Sequence, residues 1–188
     1  MGSIGARRVV SQDQVLRGAC RFFLRHGRVE MDALAASLAI SRATLYRVVH
    51  SRDGLLADVL WVLADRLLAR ARQERTNVGV EGVLEVTRHF VDRLRVAAPL
   101  RAFLRGEPDT AARVLFGGCD AVHRRAVRAQ ERILLEVRGE PGPPAPALGQ
   151  VAFLYVRIVE SALYAELLGG TPLDPDLVER AARTVLRR

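Results

Sequence analysis

The sequence predicts an all-α protein: an amino-terminal unit of three short helices, joined by a long helix to a larger helical part. Three observations predict it. Apolar residues recur at three- and four-residue spacing through most of the chain. The interruptions fall at residues that start or stop helices, namely Gly27, Ala39 to Ser41, Ser51, Asn77 to Gly79, Pro99 and Pro108. At 188 residues the chain can bury a real core, either as one domain or as a small domain fused to a larger one. The expected division is 1–56 and 57–188.

The elements follow in order. Residues 1–10 lack periodicity and carry Arg7 and Arg8, so they read as an arm or a frayed end. Ser11 caps a first helix, Asp13 suits its positive end, and Val15, Ala19, Phe22 and Phe23 form an inward stripe that Gly27 ends. Arg17, Arg21 and Arg25 lie at four-residue spacing on the outer side. Leu34, Ala35 and Leu38 give the second helix its apolar side. A tight turn brings in Ile40, and Ser41 caps a third helix with Leu45 and Val48 inside.

Ser51 or Asp53 opens a long helix to about residue 75, with Leu55, Leu56, Val59, Leu60, Leu63 and Leu67 on a face that Trp61 and Val62 widen. Helices are expected over 80–98, over the short LRAFL stretch, and over 109–138 with a weak point at Gly117-Gly118. In the last of these Arg124, Arg125, Arg128 and Arg132 form a solvated outer face. The Pro- and Gly-rich segment 139–149 reads as a non-helical linker. Two apolar helices, about 150–168 and 173–188, close the chain.

All 29 basic residues are arginine, which fits a GC-rich coding bias and carries no mechanism. Their distribution does. Residues 1–56 hold nine arginines against four acids, a net of +5, whereas 57–188 carry only +3 over more than twice the length. A basic amino end is expected of a part that meets phosphate. Cys20 and Cys119 offer neither a disulfide framework nor a zinc pattern. Nothing resembles a signal peptide or a membrane-spanning stretch, so the expected location is cytoplasmic, with no membrane partner.

The third helix carries the chemistry. Ser41, Arg42, Ala43, Thr44, Tyr46 and Arg47 present small, hydroxyl and guanidinium groups together, and His50 follows one turn later. Such groups suit a major groove: arginine pairs with guanine, threonine meets a thymine methyl, and tyrosine and arginine reach phosphates. This block resembles the DNA-binding domain of the tetracycline-repressor (TetR) family at Leu34-Ala35, Ile40-Ser41, Thr44-Leu45-Tyr46-Arg47 and the run from Ser51 to Leu56. Within that family the chain is similar, without a diagnostic motif, to regulators of quorum-signal lactone degradation.

Three positions depart from the family pattern. Ala39 stands where the turn usually has Gly, and a left-handed Ala costs roughly 1 kcal/mol. Val49 replaces an aromatic residue. Val29-Glu30 replaces the usual Ser or Thr, so Glu30 faces phosphate with the wrong sign. The resemblance implies a helix-turn-helix DNA-binding domain, a connecting helix that transmits ligand binding, and a helical effector-binding and dimerisation domain. Its implied partners are a palindromic double-stranded DNA operator, a small-molecule effector and a second copy of the chain.

Polar or aromatic residues on otherwise apolar faces are the candidates for contacting an effector: His89, Arg93, Phe103, Phe116, His123, Tyr155, Arg157 and Glu160. Arg157 and Glu160 are also spaced to pair with each other. Val159 and Ala162 are expected at the two-fold interface. Glu85 and His89 sit one turn apart, but no second such pair completes a metal site, and no nucleophile elbow, phosphate loop or carboxylate pair marks an enzyme. No cofactor is expected. A ligand-released repressor is therefore the leading reading; an activator or effector-independent DNA-binding protein, and an all-helical metalloenzyme, are the competing ones.

Overall fold

In the computed structural model, residues 10–117, 122–138, 145–169 and 172–187 are described, and among them every regular element is a helix. The order is α1 (Gln12–His26), α2 (Met31–Ser37), α3 (Arg42–Val49), α4 (Arg52–Gln73), α5 (Gly79–Val96), α6 (Ala98–Gly106), α7 (Pro108–Phe116), α8 (Val122–Arg138), α9 (Ala145–Gly169) and α10 (Pro175–Leu186). The amino-terminal arm, Cys119 and most of the expected linker lie outside the described residues.

Local chemistry sets the boundaries. Ser11 and Gln14 form a reciprocal box at the start of α1: Gln14 N donates to Ser11 Oγ at 3.2 Å and Ser11 N to Gln14 Oε1 at 3.0 Å. Gly27 ends α1 at φ 64°, and its bare Cα lets α6 come close, since a Cβ there would lie 2.8 Å from Ala102 Cβ. Ala39 adopts φ 54°, the left-handed turn between α2 and α3 that the sequence anticipates. Ser51 caps α4 by accepting from Gly54 N at 3.0 Å.

Two boundaries differ from expectation. The helix expected to run over 109–138 is interrupted: α7 stops at Phe116, and Gly117 leaves it in extended backbone at φ −90°, ψ 142°. Residues 145–149, expected to be linker, instead form the first turn of α9, where Pro146 is tolerated because first-turn amides need no helical acceptor. Likewise α6 begins at Ala98 with Pro99 in its first turn.

Two apolar cores hold the helices. The first gathers Val15, Ala19 and Phe23 of α1, Leu34 of α2, Leu45 of α3, Leu55, Leu56 and Val59 of α4, and Phe103 and Leu104 of α6. Phe23 and Phe103 meet edge to face at 5.8 Å. The second gathers Val83, Leu84 and Val86 of α5, Ile133 and Leu134 of α8, Ala152 and Tyr155 of α9, and Ala182 and Leu186 of α10. The 22-residue α4 serves both, through its amino-terminal half in the first and Ala71 in the second.

Ion pairs tie α4 to its neighbours. Arg52 reaches Glu107, Arg113 reaches Asp53 at 3.2 Å, and Arg125 reaches Asp58 at 2.7 Å. Arg125 thus leaves the outer face expected for it, while Arg124, Arg128 and Arg132 remain exposed. The break after α4 is closed by Glu85. Its carboxylate accepts from Thr76 N, Thr76 Oγ1, Asn77 N and Asn77 Nδ2 at 2.8–3.1 Å. Those donors, led by the Asn77 amide, hold its pKa down at about 2.

Candidate functional site

The amino end of α3 stands free of the core. Ser41 accepts from Thr44 N at 3.1 Å, and their hydroxyls lie 2.9 Å apart, which fixes the helix start. Leu45 is fully buried and pins the helix to α1, so Ser41, Arg42, Ala43 and Arg47 face outward. Thr44 and Tyr46 are half-buried. Arg42 folds back: Nη1 donates to Asp32 Oδ2 at 3.0 Å, and its guanidinium lies 5.5 Å from the Tyr46 ring centroid. His50 is exposed and ends α3 at φ 62°.

A concavity of about 680 Å³ runs beside α3, lined by Gln14, Arg17 and Arg21 of α1 together with Ser41, Thr44 and Arg47. It brings three arginines onto one surface. The four-residue spacing of Arg17 and Arg21 was visible in the sequence; their convergence with Arg47 depends on how α1 crosses α3.

A second cavity, about 630 Å³, lies among α1, α4, α5, α6, α8 and α9. That volume suits a small organic molecule. Its walls come from α1 (Phe23, Leu24), α4 (Trp61, Ala64, Leu67), α5 (Thr87, Phe90, Arg93), α6 (Pro99, Leu100), α8 (Ala126, Gln130) and α9 (Tyr155, Val159, Glu160, Tyr164), among others. Tyr155 is buried with its hydroxyl 2.7 Å from Thr87 Oγ1. Glu160 Oε2 lies 2.8 Å from His123 Nδ1, and burial raises the carboxyl's pKa against the pull of that histidine. Burial also pushes the hydroxyls of Tyr155 and Tyr164 well up.

Residues 78–187 match the family model described as the tetracyclin repressor-like C-terminal domain. The chain belongs to the tetracycline-repressor family. The whole fold is similar to that of the R. erythropolis transcriptional repressor QsdR, at a TM-score of 0.82 and 24% identity, over 94% of each chain. A TetR-family transcriptional regulator from Streptomyces coelicolor aligns at a TM-score of 0.57 and 21% identity, over 93% of this chain and 78% of that one. No curated protein sequence matches. The expected architecture, helix-turn-helix followed by a helical carboxy-terminal part, is thus that of TetR-family regulators, which bind DNA and small effectors and form dimers.

Within this TetR-family fold the candidate effector residues separate. Arg93, Tyr155 and Glu160 line the cavity. His123 stands behind Glu160, and Arg157, whose guanidinium is 3.6 Å from Glu160, is exposed and lies 5.7 Å from the Phe116 ring. Phe116 packs edge to face on Tyr164, 5.2 Å away, outside the lining. Phe103 belongs to the first core, and His89 is not in the wall. Val159, expected at a two-fold interface, is found in the cavity lining; the outward face of α9 carries Phe153, Leu154, Arg157 and Ser161. The sequence missed Trp61, Thr87, Gln130 and Tyr164. Gln130 was findable, being an uncharged amide one turn before Ile133 and Leu134 on an apolar stripe. Among the described residues no three His, Cys, Asp or Glu cluster as a metal site, and no helix is long and apolar enough to cross a membrane.

Proposed function

We propose that the protein is a homodimeric repressor that grips a palindromic operator with two copies of α1–α3 and lets go when a small, largely apolar effector fills the 630 Å³ cavity. In this reading residues 1–56 are the DNA-binding domain and 57–188 the effector-binding and dimerisation domain. The observation that carries it is the exposed amino end of α3, with Ser41, Arg42, Ala43 and Arg47 standing on a basic unit, in a chain of this family. Arg42, Ala43 and Thr44 read base edges, while Arg47, Tyr46, His50 and the flanking Arg17 and Arg21 take phosphates. The likeness in shape to QsdR supports the same subgroup.

One helix-turn-helix makes few contacts, so specificity needs two, on half-sites roughly 34–36 Å apart. The apolar groups exposed on α9, on α10 and just before α10 support a two-fold contact: Phe153 and Leu154 are 47% and 52% exposed, Leu173 and Leu177 42% and 54%. Because the cavity wall includes Phe23 and Leu24 of α1 as well as α4, an occupant touches the DNA-binding unit directly. It releases DNA only by as much as it prefers the non-binding arrangement, with about 1.4 kcal/mol for each factor of ten.

Genomic fragments selected by the purified protein and sequenced test the reading. An enriched inverted repeat, with its preference at one base position per half-site relaxed in Arg42→Ala, is expected; absence of any enriched sequence refutes it.

A further inference from the structure

The charged groups around this cavity, and the hydroxyls of Thr87 and Tyr155, are largely committed to one another. Arg93 is held by Glu74 and donates to the His89 carbonyl at 2.8 Å. Glu160 is held by His123 and Arg157, and Thr87 by Tyr155. Arg66 sits at the rim, exposed, where water screens its charge. Gln130 is different. It is 7% exposed, lines the cavity, and its Nε2 finds no hydrogen-bond partner among the described residues. A buried amide donor without an acceptor is costly and uncommon in a folded protein. On α8 this amide sits among Ala126, Ala129 and Ile133, where an apolar residue would pack without that penalty.

We propose that Gln130 is the polar anchor of the cavity and that it selects uncharged, predominantly apolar ligands carrying one hydrogen-bond acceptor, such as a carbonyl oxygen, that receives its Nε2–H. This deepens the effector reading above and rests on it. An anionic ligand would find Arg93 already occupied and only rim-exposed Arg66 to meet. A cationic one would have to take Glu160 from His123. Burying either charge without a partner opposes binding. A neutral acceptor instead satisfies the unpartnered Gln130 amide, while its apolar remainder covers Trp61, Phe90, Val156 and Leu163.

Trp61, the chain's single tryptophan, lies in the wall and reports occupancy by its fluorescence. The full-length protein is titrated with four probes of equal chain length: octane, 2-octanone, octanoate and octylamine. The ketone is expected to bind about tenfold more tightly than the alkane, some 1.4 kcal/mol. Octanoate and octylamine bind more weakly than the ketone. In Gln130→Leu the advantage of the ketone disappears while octane binds at least as well, which also shows that the variant folds around an intact cavity. Equal binding of octane and 2-octanone by the unaltered protein, an undiminished ketone preference in Gln130→Leu, or tightest binding of either charged probe overturns the proposal. No Trp61 response to any probe, with the helix content intact, overturns the cavity reading beneath it, a failure distinct from the others.

Discussion

Arg52 ties the start of α4 both to the segment before α2 and to the corner between α6 and α7. It is the first residue of α4, and its Nε donates to the Val29 carbonyl just before α2 at 2.7 Å. Its Nη2 donates to Glu107 Oε1 at 2.6 Å, at the corner between α6 and α7. The side chains of Arg52 and Glu107 are 28% and 25% exposed, so the pair is neither dry nor freely solvated. A hydrogen bond with a charged donor contributes about 1.5–3 kcal/mol. The partly screened ion pair adds about 0.2–1 kcal/mol. Arg52→Ala is therefore expected to cost about 2–3 kcal/mol, leaving the carbonyl of buried Val29 without this donor. Arg52→Lys keeps the charge but lacks the fork needed to serve both acceptors, and should lose about half as much. Glu107→Gln should cost no more than about 1 kcal/mol. Urea denaturation followed by circular dichroism gives these values, and the double variant gives the coupling between the two side chains. If Arg52→Ala stays within about 0.5 kcal/mol of the unaltered protein, or the two substitutions simply add, Arg52 is not the tie described.

Five further substitutions have outcomes set by the same geometry. Arg47→Ala should weaken binding to all DNA sequences about equally and lower the salt slope by roughly one, whereas Arg42→Ala should relax preference at one base position per half-site. Since Arg42 must leave Asp32 to reach a base, and both are exposed, Asp32→Asn should raise operator affinity; fluorescence anisotropy on operator variants distinguishes all three. Leu154→Arg, on the exposed face of α9, should convert a dimer in sedimentation to a monomer that no longer holds the full palindrome; an undisturbed dimer would move the interface elsewhere. Glu85 has its pKa lowered from 4.5 to about 2, so its contribution is present above pH 4.5 and fades as the pH falls through about 2. Glu85→Gln should therefore lower the thermal midpoint at pH 7, with the gap closing toward pH 2; a gap independent of pH would assign the loss to packing.

The helix-turn-helix was legible because local rules decide it. Ser11, Ser41 and Ser51 are caps whose acceptors serve amides three residues on, and Ala39 occupies the left-handed turn at the spacing that announces it. Where the outcome depended on neighbours distant in sequence, the reading failed. Pro146 looked like a helix breaker, yet a first turn accommodates it; Gly117 looked like a kink and is a helix end. The cavity shows the same limit. Val159 and Phe153 are both apolar on one helix, and only the packing of α8 and α4 decides that the first lines the cavity and the second faces out. Arg42 was legible as an exposed residue at the start of α3, but its engagement with Asp32, ten residues earlier, was not.

In the function proposed for it, α3 reads a particular DNA sequence rather than merely meeting phosphate. Anisotropy titrations of one labelled selected fragment and one scrambled fragment of equal length and composition, both at physiological salt, test it most directly. The selected fragment is expected to bind tighter by a factor on the order of 10³ or more, and Arg42→Ala to narrow this ratio more than Arg47→Ala does. Equal affinity for the two fragments would contradict it and leave only a basic surface that binds nucleic acid without reading it.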